Sequence, residues 1–307
     1  MTKRRPSSYA ISWIQRLSEI DRDVWDALAK PLSTPFLEWD WLSLMETSGS
    51  TTVKTGWLPH HLAVWSGENL AAVAPMYIKG HSAGEFVFDH VWADVAGRMG
   101  IRYYPKLVGM SPFTPMCGYR FLIAAGEDES ELTAVMVAEI DRLCRNYNMS
   151  GCSFLFVDPQ WHRYMLNHGF FGWRHQSYAW KNQEYKTFDD YLTVFNSNQR
   201  RNIKRERKAL EKQGVFVKTF TGKDIPRTFF SLMYSYYERT NGKFGPWGCK
   251  YLTKSFFEGL YHSYGHRLLF VAAFSEADPS SPLGISLLVT KGDQLYGRYW
   301  GCARQVS

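Results

Sequence analysis

The segment from Lys79 to Asp89 concentrates side chains that can move protons. Its sequence, Lys-Gly-His-Ser-Ala-Gly-Glu-Phe-Val-Phe-Asp, contains His81, Glu85 and Asp89, and these three residue types are common general acids and bases. The small residues between them leave backbone N–H groups approachable. Lys106 follows in the run Tyr-Tyr-Pro-Lys-Leu at residues 103–107. The pattern favours acid–base chemistry or charge binding here, although pairing of Glu85 with Lys79 or Lys106 would also explain it.

The same segment contains Gly-His-Ser-Ala-Gly at residues 80–84, which matches the G-x-S-x-G pattern of an α/β-hydrolase nucleophile. A serine esterase would use Ser82 with an acid and then a histidine, and the chain offers Asp158 followed by His162, His168 or His175. Such a nucleophile needs a strand before it and a helix directly after it, whereas residues 85–89 are strand-like. A chance match is the favoured interpretation, and a serine esterase is a secondary hypothesis.

Other short motifs give little support for metal or nucleotide chemistry. His262 and His266 have the spacing of two ligands on one helix face, but Gly265 indicates that the helix ends between them. The sequence contains neither a G-x-x-x-x-G-K-[ST] phosphate loop nor a G-x-G-x-x-G fingerprint. Five cysteines without a C-x-x-C pair indicate a reducing compartment. We therefore expect no metal and a cytoplasmic location.

The positive charge of the chain is concentrated in one segment. The 307 residues carry a formal net charge of +7, and residues 200–218 contain eight Lys or Arg against two Glu. At 100° per residue, most of these cations share one face of a helix over about 197–213. A solvated surface helix is one interpretation. Binding of phosphate is the other, because the planar guanidinium of Arg suits phosphate oxygens.

The rest of the sequence predicts a succession of helices and strands. With 45% hydrophobic residues the chain is globular, and its longest apolar run, 268–274, is far too short to span a membrane. The length allows one large domain or two smaller ones. The order of elements suggests two similar α/β units. Helices are predicted over 131–147, 226–240 and 252–264, and strands over 61–65, 70–78, 171–180, 215–220, 268–274, 283–290 and 294–300.

Together, several strings resemble the FemAB-like family of predicted N-acyltransferases, in the GNAT (acyl-CoA N-acyltransferase) superfamily. They are the 79–89 segment, Tyr-Tyr-Pro-Lys-Leu at 103–107, Pro-Phe-Thr-Pro at 112–115, Arg-Arg-Asn-Ile-Lys-Arg-Glu-Arg at 200–207 and Leu-Tyr-Gly-Arg-Tyr-Trp-Gly-Cys at 295–302. The resemblance implies an α/β (α+β) fold of tandem GNAT-like domains with mixed central sheets flanked by helices. The first domain would cover residues 1–187, and the second, opened by the basic helix, residues 188–307.

Relatives continue past the last of these motifs, whereas this chain ends at Ser307. The resemblance therefore predicts a C-terminally truncated chain. Its second domain would lack its last part, which would leave sheet edge uncovered and activity weakened or absent.

The resemblance also implies a function: transfer of an acyl or aminoacyl group to a primary amine by direct attack, linked to peptidoglycan or cell-envelope precursors. Acyl-CoA is the expected donor and aminoacyl-tRNA the alternative, and the acceptor would be a small-molecule or peptidoglycan-precursor amine. A non-catalytic RNA- or anion-binding module on the same fold is a competing hypothesis. We expect Glu85 to be the general base, followed by Asp89 or His81, with Tyr104 or Tyr299 protonating the leaving group. Donor phosphates would be bound by Arg200, Arg201, Lys204, Arg205 and Arg298.

Overall fold

Three four-stranded sheets form the framework of the computed structural model, which describes residues 9–245 and 248–303. The first two sheets come from the N-terminal half and the third from the C-terminal half. In order of hydrogen bonding, the first sheet contains β1 (Ala10–Ile14), β3 (His61–Ser66), β4 (Asn69–Ala74) and β7 (Leu122–Ile123). The second sheet contains β2 (Trp57–Pro59), β5 (Met76–Lys79), β6 (Lys106–Gly109) and β8 (Cys152–Phe154). The third sheet contains β12 (Gln294–Cys302), β11 (Asp278–Lys291), β10 (Leu268–Ser275) and β9 (Val215–Thr221). Within these sheets, the β6–β8 pair is parallel and the other strand pairs are antiparallel.

Helices flank these sheets and connect their strands. They are α1 (Arg22–Ala29), α2 (Trp39–Thr47), α3 (His90–Arg98), α4 (Glu129–Asn146), α5 (Pro159–Leu166), α6 (Phe188–Leu192), α7 (Ser197–Lys212), α8 (Thr228–Gly242) and α9 (Lys254–Ser263). This architecture confirms the expected α/β (α+β) class with sheets flanked by helices. The expected boundary at residue 187 coincides with the cap of α6. That boundary and the GNAT-like identity of the two units stay predictions.

Local sequence explains where several elements begin and how they face. The side chains of Asp128 and Asp158 accept hydrogen bonds from backbone N–H groups in the first turns of α4 and α5. Asn196 caps α7 in the same way, and Gly214, with φ of +65°, follows its end. In β10, alternate residues from Leu268 onward are buried, as expected for a strand with one face on the core.

One continuous hydrophobic core joins the N-terminal and C-terminal halves. The ring of Trp41, on α2, lies 5.4 Å from that of Phe256 and 5.5 Å from that of Tyr264. Glu38, which is buried just before α2, binds two cations of the C-terminal half, Arg267 at 2.7 Å and Lys291 at 2.8 Å. The halves are thus held together by aromatic packing and by a buried ionic contact.

Three local expectations were wrong. The predicted strand over 70–78 is divided at Pro75 into β4 and β5, which belong to different sheets. Residues 171–180 form no strand, although their aromatic residues are spaced like those of one. A strand also needs a neighbour for its N–H and C=O groups, and none of the strands in the described chain pairs with this segment. Residues 85–89 form a loop rather than a strand, because Phe86 and Phe88 adopt positive φ values of 58° and 52°.

The contact of Glu38 with Arg267 and Lys291 is expected to stabilise the whole fold. Glu38→Gln keeps the shape of the side chain but leaves two partly buried cations without a counter-charge, which should cost about 3 kcal/mol. Urea unfolding measures this loss. Glu258→Gln is the matched control, because Glu258 pairs with Lys254 on an exposed surface. Equal unfolding midpoints for the two variants would contradict the assignment.

Candidate functional site

The candidate site is built around the ammonium group of Lys106. Its Nζ lies 2.8 Å from Oε2 of Glu85 and 2.7 Å from Oδ2 of Asp89, and it donates a hydrogen bond of 2.8 Å to Oγ of Ser82. The side chains of Lys106, Glu85 and Asp89 are almost entirely buried. We call Lys106, Ser82, Glu85, Asp89 and the adjoining hydroxyl groups of Tyr103 and Tyr104 the lysine cluster.

The strand register explains why distant residues meet there. Lys79 ends β5 and Lys106 begins β6, and the two residues pair directly across the antiparallel ladder. Directly paired residues project from the same face of a sheet, so both lysines face the loop that follows β5. In that loop the carbonyl of Ala83 accepts hydrogen bonds from Nζ of Lys79, at 3.1 Å, and from Nε1 of Trp57, at 3.0 Å.

Burial and pairing move the pKa values of the cluster in different directions. Burial lowers the pKa of Lys79 to about 7, against the attraction of Glu85. Burial also raises the pKa of Glu85, against the attraction of Lys106. For Asp89, burial is outweighed by hydrogen bonds from Lys106 and Ser82, which lower its pKa. The pKa of Lys106 is raised because the two carboxylates outweigh its burial.

A chain of hydroxyl groups links the buried charges to the surface. The hydroxyl of Tyr104, which is partly exposed, lies 2.8 Å from Oγ of Ser82. The hydroxyl of Tyr103 donates to Oδ2 of Asp89 at 2.9 Å. Oε1 of Glu85 and Oδ1 of Asp89 are buried without a hydrogen-bond partner. Such orphaned acceptors are costly, so the cluster has unused capacity to accept hydrogen bonds.

The contacts of Ser82 differ from those of an esterase nucleophile. Its partners are Lys106 and Tyr104, each at 2.8 Å, and Asp89, whose pKa it lowers, while the carboxylate of Asp158 caps α5. A nucleophilic serine requires a hydrogen-bonded base, and Lys106 is already held by two carboxylates. The geometry therefore gives the esterase hypothesis no support.

His81 lies at the edge of the site, where its ring lines a cavity of about 270 Å³. Its Nδ1 accepts a hydrogen bond from the backbone N–H of Ala83, and burial together with Lys79 lowers its pKa. A neutral imidazole that accepts at Nδ1 carries its proton on Nε2. Nε2 of His81 therefore carries the proton, and it lies beside Gly56, another residue that lines this cavity.

Arg298 and Tyr299 lie on β12, in the C-terminal half of the chain. Nη2 of Arg298 donates to the carbonyl of Phe113 at 2.8 Å and to the hydroxyl of Tyr299 at 2.9 Å. The Phe113 ring stacks on Tyr251 at 5.1 Å, and a Cβ added at Gly84 would approach it within 2.7 Å. Arg298 thus fixes a contact between the two halves, and the hydroxyl of Tyr299 is engaged by Arg298 rather than by the lysine cluster.

The predicted basic helix is confirmed as α7, and it packs mainly on β9. None of its residues is fully buried. Some of its cations have local partners: Lys204 binds Asp189 at 2.9 Å, and Arg207 stacks over Phe188 at 4.0 Å. Arg200, which is partly buried, donates to the carbonyl of Phe195, whereas Arg201 and Arg205 are exposed.

Glu85, Asp89 and Tyr104 were expected from the sequence, and the structure brings these three together. The alternative that Glu85 pairs with Lys106 is confirmed, whereas the contact of Lys106 with Asp89 and the part played by Tyr103 were not expected. The signal that could have revealed this contact is the position of Lys79 and Lys106 at strand ends, because a buried lysine requires acidic partners. Among residues 9–245 and 248–303, no group of three or more His, Cys, Asp or Glu is arranged to hold a metal. In the same residues, the helices are too short or too polar to cross a membrane.

Comparison with known proteins places the chain in a family concerned with the bacterial wall polymer peptidoglycan. The model of the FemAB-like family, described as peptidoglycan biosynthesis/recognition, matches residues 16–307, so the chain belongs to the FemAB-like family. This confirms the expected family and its link with peptidoglycan, and it supports a transferase in general.

The crystal structure of FemX is also similar, with 12% identity and a TM-score of 0.48 over 96% of this chain and 81% of the FemX chain. No curated protein matches significantly.

Replacing Lys106 tests the electrostatic role of the cluster. Lys106→Met leaves Glu85 and Asp89 buried without an ammonium, which should cost about 3–5 kcal/mol at pH 8. Their folded-state pKa values then exceed the unfolded values, so stability is retained at low pH and lost as the pH rises through the folded pKa values. We expect denaturant unfolding to show a smaller deficit at pH 5 than at pH 8.

The exposed Lys212→Met is the control for this measurement and should behave like the wild type at both pH values. An equal deficit for Lys106→Met at pH 5 and pH 8 would mean that the two carboxylates do not depend on Lys106.

Proposed function

We propose that this protein transfers an aminoacyl group from aminoacyl-tRNA to a primary amine of a peptidoglycan precursor. Membership of the FemAB-like family supports the link to peptidoglycan and to transfer. The family description gives no support to acyl-CoA, which the sequence expectation placed first, and acyl-CoA becomes the second candidate donor. The tandem GNAT-like organisation remains part of this proposal.

The observation that carries the proposal is the hydroxyl chain from Tyr104 through Ser82 to the buried charges. Attack by a neutral amine on the ester carbon of the donor forms a C–N bond and a tetrahedral intermediate with an oxyanion. Its collapse breaks the ester C–O bond. The attacking nitrogen must lose a proton and the leaving alkoxide must gain one, so a relay beside the reacting atoms serves both steps.

We assign the roles of the relay as follows. Tyr104 exchanges the proton with the reacting groups, and Ser82 passes it to or from Asp89. Glu85 is completely buried, so it supports Lys106 instead of contacting the substrate. Backbone N–H groups of the glycine-containing loop stabilise the oxyanion. The low pKa of Asp89 makes it a weak proton acceptor, so in this relay it holds the proton only transiently.

Removing single hydroxyl groups tests this relay. Tyr104→Phe and Ser82→Ala should each lower kcat by about 100-fold, the low end of the usual loss of an acid–base group. Both replacements keep the ring or the backbone, so the unfolding midpoint should change little. Steady-state transfer assays measure kcat and KM separately. Tyr147→Phe, which removes an exposed hydroxyl on another surface, is the control.

Wild-type kcat in both Tyr104→Phe and Ser82→Ala would rule out the relay. Glu85→Gln assayed in parallel distinguishes the two carboxylates. Loss of activity without loss of stability in Glu85→Gln, with Asp89→Asn fully active, would transfer the role of base to Glu85.

The exposed cations of α7 provide a surface for a polyanionic donor. Arg201 and Arg205 project into solvent, and phosphate contacts by such residues make affinity fall steeply with salt. A double variant, Arg201→Glu with Arg205→Glu, should weaken tRNA binding by about tenfold or more at low salt and reduce the salt dependence. Filter binding at two salt concentrations measures this effect.

Lys243→Glu, which changes an exposed cation away from α7, is the control for charge alone. Equal weakening by this control would contradict a specific role for α7. RNA binding that depends on α7 without any transfer to an amine would favour the non-catalytic RNA-binding module.

A further inference from the structure

The helix α3 exposes its large apolar side chains, whereas an ordinary surface helix buries them. Its large apolar residues Val91, Trp92 and Val95 are exposed by 60%, 60% and 43%, and Met99, next to its end, by 68%. At 100° per residue these four positions share an arc of about 100°. The residues that turn toward the protein are small, Ala93 and Ala96, and no residue of α3 is fully buried. Folding of the chain alone would bury the large residues instead.

Neighbouring residues extend this apolar face. Phe88, directly before the helix cap, is 74% exposed, and Trp173 from the irregular segment after α5 packs its ring 6.4 Å from that of Trp92. We define the α3 surface by these exposed apolar side chains: Phe88, Val91, Trp92, Val95, Met99 and Trp173. A contiguous exposed apolar area of this kind marks an interaction site.

Arginine residues lie next to the α3 surface along the chain. Arg174 directly follows Trp173, whose ring contacts Trp92. At the end of α3, Arg98 and Arg102 add two more cations, of which Arg98 pairs with Asp94 at 2.7 Å. A face of tryptophan and aliphatic side chains with arginine beside it has the composition that suits the boundary between lipid tails and anionic headgroups. A protein partner would need a matching shape, whereas a bilayer needs only this composition.

We propose that the α3 surface docks on the surface of an anionic phospholipid bilayer, with Trp92 and Trp173 inserted at headgroup depth and the neighbouring arginines on lipid phosphates. The helix begins directly after Asp89, so docking would place the lysine cluster beside the membrane. The proposal stands apart from the transfer reaction, because vesicle binding is measured without donor or acceptor.

Vesicle co-sedimentation of the full chain tests the proposal. Vesicles of phosphatidylcholine with about 30% phosphatidylglycerol should bind the protein more tightly than vesicles of phosphatidylcholine alone, and higher salt should weaken the binding. Trp92→Ser and Trp173→Ser should each reduce partitioning about tenfold, because each removes a large inserted side chain. The control Val217→Ser removes an exposed apolar side chain from β9 and should bind like the wild type.

A second measurement separates α3 from the basic helix α7, which also attracts anions. Lipids with brominated tails should quench wild-type tryptophan fluorescence more than that of a Trp92→Phe and Trp173→Phe double variant. Absence of binding to anionic vesicles would overturn the proposal. So would wild-type binding by both serine variants, since α7 would then account for it. A dimer that Trp92→Ser dissociates, with no vesicle binding, would make the α3 surface an interface between two copies.

Discussion

The ion pairs of the Lys106 ammonium with Glu85 and Asp89 are the interaction on which this region depends. Burying any one of these charges alone would be prohibitive, and the three together offset much of that cost. The contact ties the start of β6 to the loop after β5 and to Asp89, the cap residue of α3. A single ammonium thus fixes a strand, a loop and the direction of a helix, which is why the candidate site and the α3 surface share one anchor.

The same loop also carries the contact between the two halves of the chain. Gly84 leaves room for the ring of Phe113, which stacks on Tyr251, and Arg298 holds the carbonyl of Phe113 from β12. The motifs at 79–89 and 295–302 lie about 200 residues apart in the sequence, and each separately resembles the FemAB-like family. Both of them contact Phe113. A change in how the halves pack would reach the lysine cluster through Phe113, because densely packed side chains transmit displacements.

Strands and helices with regular patterns could be predicted from the sequence, and those that depend on partners could not. Alternation in β10 and the cap and glycine around α7 are local signals, and both elements were predicted close to their observed bounds. Residues 171–180 carry a strand-like pattern but have no strand beside them. The lysine cluster depends on the pairing of Lys79 with Lys106 across β5 and β6, and no local pattern specifies that register. The residue types therefore identified Glu85 and Asp89 and offered Lys106 as one of two partners of Glu85, but not the three-way contact.

Charge balance within the buried group bears on the proposed proton relay. Lys106 with Glu85 and Asp89 carries a net charge of −1 when all three are ionised, and a charged Lys79 would make the group neutral. Because burial lowers the pKa of Lys79 to about 7, both states are populated near neutral pH. In the state with neutral Lys79, one proton arriving through Tyr104 and Ser82 removes the excess buried charge, which is favourable at low dielectric. With a pKa of about 7, neutral Lys79 is a stronger base than Asp89, whose pKa is lowered, so a proton that reaches the buried group in this state settles on Lys79.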